Sequence, residues 1–133
     1  VSRGLGDVYK RQQQLIVVCG CGGDRDKGKR PIMGRIGGEL ADLCILTSDN
    51  PRTEDPMEIL REIEEGIKET TGEYVVIENR RDAIRHALEI GREGDIIVLC
   101  GKGHETYQET MGVKRPFDEK VVVQELLTEL RGE

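Results

Sequence analysis

The sequence predicts an α/β fold of the Rossmann-like type: an open, mostly parallel sheet with helices on both faces. Two observations predict it. Four short apolar runs, rich in β-branched residues, alternate with longer stretches of helical periodicity. The apolar runs are continuous, which is typical of strands that are covered on both faces. Alternation of strand and helix then implies right-handed crossovers between parallel strands.

Each element has its own sequence signal. The predicted strands are LIVVCG, LCILTS, YVVIEN and DIIVLCG, at residues 15–20, 43–48, 74–79 and 95–101. The predicted helices cover residues 30–41, 56–70, 81–91 and 119–132. Pro31 suits a first helical turn, whereas Gly37 and Gly38 weaken the first helix. The polar stretch 106–118 predicts a small antiparallel hairpin that turns near Met111 and Gly112.

Composition limits the size and the class of the protein. With 133 residues, 36% apolar and 35% charged, the chain has enough residues for one domain. A net charge of -6 argues against a nucleic-acid binder, which needs a basic surface. No apolar run approaches the roughly 18 residues of a membrane span, and no secretory signal is evident, so we expect a cytoplasmic protein. The acidic residues of the second helix and its preceding loop are interpreted as a solvated face.

The first twelve residues, VSRGLGDVYKRQ, fit no element that follows. They resemble translated adapter or vector sequence, so we expect a non-native leader at residues 1–12 and the domain at residues 13–133. The four cysteines lie in or beside apolar runs without a C-x-x-C pair, at positions 19, 21, 44 and 100. This pattern favours buried, reduced thiols over a metal site.

Three loops rich in glycine or charge follow predicted strands, and parallel strands bring such loops to the same edge of a sheet. They are CGGDRDKGKRP, TSDNPRTEDP and GKGHETYQ, beginning at residues 21, 47 and 101. The first loop nearly matches a P-loop, but Arg30 stands where a Ser or Thr is needed to bind magnesium. A weaker prediction remains, in which the glycine turn holds an anion with the help of four basic residues. These residues are Arg25, Lys27, Lys29 and Arg30.

Arg52 in the second loop has two interpretations. It balances nearby acids in a solvated turn, or it is held at a defined angle because Pro51 restrains both itself and Asn50. In the third loop, His104 either braces the loop or takes part in a site, and Glu105 adds an acceptor for an ammonium group. Together, Arg25, Arg52 and Glu105 would suit an amino acid or another zwitterion.

In their order and spacing, the three loops closely resemble the C-terminal domain of the Mur ligases, in the branch that adds meso-diaminopimelate to UDP-N-acetylmuramoyl-L-alanyl-D-glutamate. The resemblance runs from about residue 15 to residue 132. It implies the substrate-binding domain of an ATP-dependent amide-bond ligase of cytoplasmic peptidoglycan precursor synthesis. The whole enzyme would use ATP and Mg²⁺, bound mainly by a central ATPase domain that this chain lacks, together with a UDP-binding domain. The fragment alone, expected to be monomeric, would then be inactive.

The resemblance also implies roles for single residues. Diaminopimelate would be held by a set of residues at the three loops: Arg25, Asn50, Pro51, Arg52, Gly101 and Glu105. Supporting or nucleotide-side roles would fall to Asp24, Lys27, Lys29, Asp49 and His104. Lysine-adding relatives typically lack the arginine at the position of Arg52, so this residue points to diaminopimelate. No catalytic residue or metal ligand is expected within the chain.

Two further functions remain open. A free-standing nucleotide- or phosphate-binding module would use the glycine loop, and an α/β scaffold would bind protein partners. A scaffold predicts an exposed apolar patch, whereas the helices are expected to have ordinary amphipathic faces.

Overall fold

A computed structural model of the chain describes residues 13–23, 27–100 and 105–132. Its strands are β1 (Leu15–Cys19), β2 (Leu43–Leu46), β3 (Glu73–Val76), β4 (Ile96–Leu99), β5 (Tyr107–Thr110) and β6 (Val113–Pro116). Its helices are α1 (Lys29–Leu40), α2 (Pro56–Ile67), α3 (Arg80–Ile90) and α4 (Glu119–Leu130). The α/β prediction is confirmed. The predicted leader lies outside the described residues.

The main sheet is parallel, with the strand order β3-β2-β1-β4. Strands β5 and β6 form the separate antiparallel hairpin that was predicted, turning at Met111 and Gly112. Strand β2 is shorter than predicted, because Thr47 and Ser48 leave the strand and begin a loop. Helix α2 also ends earlier than predicted, at Ile67. Both differences lie at element ends, where sequence patterns are weakest.

The two faces of the sheet carry different helices. Helices α1 and α2 cover the face that includes Cys19, Cys44 and Leu46, whereas α3 and α4 cover the face of Ile16 and Ile45. This division follows from handedness: the connections from β1 to β2 and from β2 to β3 run one way, and the connection from β3 to β4 runs back. The reversal creates a topological switch point between β1 and β4, a frequent ligand position in such sheets.

Side-chain caps fix the starts of α2, α3 and α4. The carboxylate of Asp55 accepts a hydrogen bond from the Met57 amide at 2.9 Å, and Asn79 and Asp118 cap α3 and α4 in the same way. Each cap satisfies an amide that the helix itself leaves unpaired. Helix α1 begins at Lys29 without a side-chain cap.

Helices α1 and α2 cross closely at glycines. A Cβ on Gly34 would lie 2.0 Å from the Ile63 carbonyl oxygen, and one on Gly66 would lie 1.8 Å from the Pro31 carbonyl oxygen. Backbone therefore packs on backbone at this crossing, which no larger residue permits. Gly37 and Gly38 were expected only to weaken α1, whereas in the structure Gly34 and Gly38 allow close packing against Ile63 and Thr70.

One apolar surface was not expected. Helix α1 exposes Ile32, Ile36 and Leu40, and β4 exposes Ile96 and Val98 on the same face of the sheet. The expectation of ordinary amphipathic helices is wrong for α1, and the expectation of strands covered on both faces is wrong for β4. We refer to Ile32, Ile36, Leu40, Ile96 and Val98 as the α1–β4 face. No helix in the described part of the chain has the length and the apolar character of a membrane span.

Candidate functional site

The described parts of the loops after β1, β2 and β4 are joined by hydrogen bonds at the carboxyl edge of the sheet. The loop after β2 lies deepest in the protein. Its residues Thr47, Ser48, Asp49 and Asn50 are all buried. The amide of Thr47 donates to the Cys19 carbonyl at 2.9 Å, and the amide of Ser48 donates to the Glu78 carbonyl at 3.1 Å. A solvated turn is therefore excluded for this part of the loop.

Two glycines of the first loop allow it to lie directly on the second. A Cβ on Gly20 would lie 2.2 Å from the Thr47 carbonyl oxygen, and one on Gly23 would lie 1.8 Å from the Pro51 carbonyl oxygen. The Gly23 amide also donates to the Asn50 carbonyl at 2.7 Å. These glycines serve the contact between two loops, which accounts for a glycine-rich turn without a P-loop.

Asn50 is the hydrogen-bonding centre of the cluster. Its side-chain Nδ2 donates to Glu105 Oε1 at 2.7 Å, and its Oδ1 accepts from the Glu109 amide at 2.8 Å. The amide group is 1% exposed, so both ends need partners, and the two bonds orient it in one way. Asn50 thus fixes the position of Glu105, the acid of the third loop, relative to the second loop.

The backbone of Arg52 adopts a left-handed conformation, with φ of 54°. This conformation is uncommon for a residue with a Cβ, and it is held by two hydrogen bonds to the hairpin. The Arg52 amide donates to the Glu109 carbonyl at 3.0 Å, and the Arg52 carbonyl accepts from the Met111 amide. The hairpin therefore clamps the second loop, and Gln108 adds a bond from its Nε2 to the Asp49 carbonyl at 2.7 Å.

The Arg52 side chain lies across the same junction. Its Nη1 donates to the Gly23 carbonyl at 3.0 Å and to the Asn50 carbonyl at 3.4 Å, and its Nε lies 3.6 Å from Glu109 Oε1. These contacts aim the guanidinium, which favours the second interpretation of this arginine. Arg52 and Glu105 both bond to Asn50, Arg52 to its backbone carbonyl and Glu105 to its side-chain amide, so one residue links the cation and the anion.

Arg30 was predicted to help hold an anion, and this is wrong. Its side chain is 1% exposed and forms a two-point contact with Glu54, at 3.0 and 2.9 Å, and a third with Glu62 at 2.9 Å. The hydrogen bond to Glu54 is the main factor that raises the pKa of Arg30 above its usual value. Lys27 and Lys29 are exposed, with Lys27 Nζ 3.8 Å from Glu54.

The acidic residues of the second loop and α2 were interpreted as a solvated face, but three of them bind side chains of the protein: Glu54, Glu62 and Glu64. Glu54 and Glu62 neutralise Arg30, which ties α1 to α2 and to the loop that carries Arg52. Glu64 accepts a hydrogen bond from the Tyr74 hydroxyl at 2.7 Å, and this bond is the main factor that raises the pKa of Tyr74 to about 12. Sequence reasoning missed these roles because the buried partners are distant in sequence.

Arg80, the first residue of α3, bonds to the segments that follow β2 and β4. It donates to the Cys100 carbonyl at 2.8 Å and to the Ser48 carbonyl at 3.2 Å, and its Nε pairs with Glu119 at 2.7 Å. The side chain is 1% exposed. It therefore connects the loop after β2 with the start of the loop after β4. No motif singled it out, because an arginine at a helix start gives no sequence signal of burial.

The cysteines lie in or beside the apolar cluster under α1 and α2. Cys19 and Cys44 are buried with their sulfur atoms 3.5 Å apart, and all four cysteines are free. The hydrogen bond with Cys44, together with burial, raises the pKa of Cys19, and burial raises the pKa of Cys21 to about 11. The prediction of buried thiols is confirmed for Cys19 and Cys44, whereas Cys21 and Cys100 are half-buried. Nucleophilic chemistry is not favoured at Cys19, Cys21 or Cys100, because the pKa of each thiol is raised.

Several predicted site residues lie outside the described residues: Asp24, Arg25, Gly101 and His104. Of the others, Asn50, Pro51, Arg52 and Glu105 lie in one cluster, and Asp49 supports it through its backbone carbonyl. Sequence reasoning missed Gln108 and Glu109, although Glu109 follows Glu105 by four residues, an even spacing that is typical of one side of a strand. Their alternation in a predicted hairpin was the available signal.

Comparison with known proteins gives a consistent result. Residues 2–103 match the family described as Mur ligase, glutamate ligase domain. The chain is 60% identical over 114 residues to UDP-N-acetylmuramoyl-L-alanyl-D-glutamate--2,6-diaminopimelate ligase of Caldanaerobacter subterraneus subsp. tengcongensis, covering 86% of this chain and 24% of that protein. A ligase of the same name from Clostridium botulinum is 55% identical, over 88% of this chain and 24% of the relative.

A solved structure of UDP-N-acetylmuramoyl-L-alanyl-D-glutamate--2,6-diaminopimelate ligase has the same fold, with a TM-score of 0.85 and 46% identity over 90% of this chain. The match covers 25% of that chain. This chain therefore spans about a quarter of the length of the relatives that it matches. From the family match and the shared fold, the chain belongs to the Mur ligase family, of which it carries the glutamate ligase domain.

Proposed function

We propose that this chain is the amino-acid-binding domain of an ATP-dependent ligase that adds meso-diaminopimelate to UDP-N-acetylmuramoyl-L-alanyl-D-glutamate. The observation that carries the proposal is the bonded cluster of Asn50, Arg52 and Glu105 at the switch point. A site that offers both a guanidinium and a carboxylate suits an amino acid, because the ligand's carboxylate and ammonium need partners of opposite charge. The names of the relatives supply the particular amino acid.

In this proposal Arg52 pairs with the carboxylate at the far stereocentre of diaminopimelate, and Glu105 accepts from its ammonium group. Lysine has no carboxylate at that position and would place only its ammonium near the guanidinium, so like-charge repulsion would disfavour it. Asn50 and Pro51 position the two charged residues. Arg25 and Gly101 complete the proposed binding set by family resemblance, with Asp24, Lys27, Lys29, Asp49 and His104 in supporting roles.

ATP and Mg²⁺ belong, in this proposal, to the rest of the ligase. Within the described residues, no group of three or more His, Cys, Asp or Glu side chains is arranged to hold a metal ion. No step of the reaction is assigned to these residues. The chain would supply amino-acid binding in a monomeric, cytoplasmic enzyme and would be inactive alone.

The binding proposal predicts a loss of discrimination when Arg52 is replaced. In NMR titrations, we expect the chain to bind meso-diaminopimelate at least about tenfold tighter than L-lysine. In Arg52→Ala this preference should disappear, because a hydrogen bond between two charged groups contributes about 1.5–3 kcal/mol. Arg61→Ala, which removes an exposed arginine of α2, is the matched control and should keep the preference.

Two results would contradict the binding proposal. The first is equal affinity of the unaltered chain for the two amino acids. The second is binding of ATP that Arg52→Ala leaves unchanged, without any response to diaminopimelate. The second result would favour a free-standing nucleotide- or phosphate-binding module.

We also propose that the polypeptide immediately preceding the domain in the full-length ligase covers the α1–β4 face. A groove of about 280 Å³ runs along this face, lined by Leu15, Val17, Cys19, Met33, Ile36, Gly37, Leu40, Ala41, Val98 and Cys100. The chain enters β1 at Gln14, whose carbonyl accepts from the Ile96 amide, so β1 begins beside the start of β4. A strand added next to β4 and connected to β1 would place its right-handed crossover helix on the face of α1. This groove lies on that face.

The covering segment can be tested with Leu40→Lys. Leu40 is 71% exposed at the end of α1, so in this chain the substitution should change the free energy of unfolding by less than about 0.5 kcal/mol. In a longer chain that includes the native upstream polypeptide, it should cost about 1.5–3 kcal/mol, because the leucine is then buried. Urea denaturation of both chains measures the difference.

Leu130→Lys is the matched control, since it changes the last residue of α4 on the opposite face of the sheet. It should have the same small effect in both chains. Equal effects of Leu40→Lys in the two chains would refute the covering segment. Concentration-dependent self-association that Leu40→Lys abolishes would instead assign the face to a second copy.

A further inference from the structure

The acidic side chain of Glu109 lies beside the arginine of the candidate site, in a position that no motif indicated. Its Oε1 is 3.6 Å from Arg52 Nε, and both side chains are mostly buried. Its backbone amide donates to Asn50 and its carbonyl accepts from Arg52, so the backbone of Glu109 is held in place beside the site. Glu105 reaches the same asparagine from the other end of its amide.

The Glu109 carboxylate therefore lies beside the Arg52 guanidinium, and Glu105 is joined to the same cluster through Asn50. A ligand carboxylate that approaches Arg52 also approaches Glu109, and their like charges repel in a site of low exposure. An ammonium group on the carbon next to that carboxylate would offset the repulsion, because it can pair with an acid of the site. The nearest basic residue on the partner strand is Lys114, which is exposed and lies over the Tyr107 ring at 4.6 Å.

We propose that Glu109 is a specificity-determining residue that rejects carboxylates and other anions lacking an adjacent ammonium group. The site then selects the zwitterionic end of an amino acid over a plain dicarboxylate of the same length. Discrimination of this kind arises from repulsion of the wrong ligand more than from attraction of the right one. The inference rests on the proposed function, since it concerns the same site.

Glu109→Gln tests it, because glutamine keeps the backbone bonds to Asn50 and Arg52 and removes only the charge. The probes are meso-diaminopimelate and pimelate, which has the same carbon chain and two carboxylates but no amino groups. Dissociation constants come from NMR titration of the 133-residue chain. In Glu109→Gln we expect pimelate to bind about tenfold tighter and diaminopimelate to change by no more than about twofold.

Glu125→Gln is the matched control, since it removes the same charge from an exposed position on α4 and should leave both affinities unchanged. The ratio of the two affinities separates specificity from structure, because a loosened fold would weaken both ligands together. If the unaltered chain binds diaminopimelate but Glu109→Gln leaves the ratio unchanged, the inference is refuted and the proposed function stands. Failure of the unaltered chain to bind diaminopimelate would refute both.

Discussion

Replacement of Arg80 with methionine is expected to lower the free energy of unfolding by about 3–5 kcal/mol. Methionine fills much of the same volume, so the loss comes from the polar partners that remain. The carboxylate of Glu119 and the carbonyls of Ser48 and Cys100 would lose their buried donor. Removal of one member of a buried ion pair is costly because the other charge stays in a poorly solvated place. Urea denaturation of the two proteins measures the difference.

Arg81 gives a matched control at the next position of the same helix. Its side chain is 37% exposed and pairs with Glu125 and Glu129 on the surface of α4. Arg81→Met should therefore cost less than about 1 kcal/mol. Comparable losses for the two variants would show that the burial of Arg80 does not account for its contribution to stability. A loss below about 1 kcal/mol for Arg80→Met would contradict its bridging role.

Gly66→Ala should destabilise the protein by about 3 kcal/mol, although alanine is the better helix former. The added Cβ would lie 1.8 Å from the carbonyl oxygen of Pro31. That neighbour is backbone, so no side-chain rotation relieves the contact and α1 must move away from α2. The intrinsic gain of about 1 kcal/mol from replacing a helical glycine is too small to offset this. Thermal or urea unfolding reports the net effect.

Glu65→Ala is the control for the helix-propensity contribution, because Glu65 is exposed on the same turn of α2. It should leave the stability within about 0.5 kcal/mol. If Gly66→Ala is as stable as Glu65→Ala, the inference that α1 and α2 cross too closely at Gly66 to admit a Cβ is refuted.

The fold was largely predictable because its signals are local. Continuous apolar runs indicated the four parallel strands, and the 3.6-residue period indicated the helices that follow them. The turn at Met111 and Gly112 was recognisable from its residue types, with Gly112 at φ of 79°. Element ends were less predictable, as at Thr47 and Ser48, where β-branched and small polar residues continue the pattern of β2 while the backbone turns into a buried loop.

The charged residues were harder to predict, since a charge gives no local sign of its burial. Arg30 and Arg80 look like ordinary arginines at helix starts, yet both lie in the interior with carboxylate partners more than 20 residues away. Glu54 and Glu62 look like part of a solvated acidic run and instead neutralise Arg30. Only the packing of α1 against α2 brings these groups together.

By itself the sequence determined the order of strands and helices, and hence that three loops meet at one edge of a parallel sheet. It also determined the residue types that this edge offers to a ligand. The tertiary structure alone decided how those residues face one another: that Asn50 joins Glu105 to the hairpin, that Arg52 takes a left-handed backbone, and that Glu109 lies beside it. The physical reason is that periodicity reports burial along one element, whereas hydrogen bonds and ion pairs join residues that are distant in sequence.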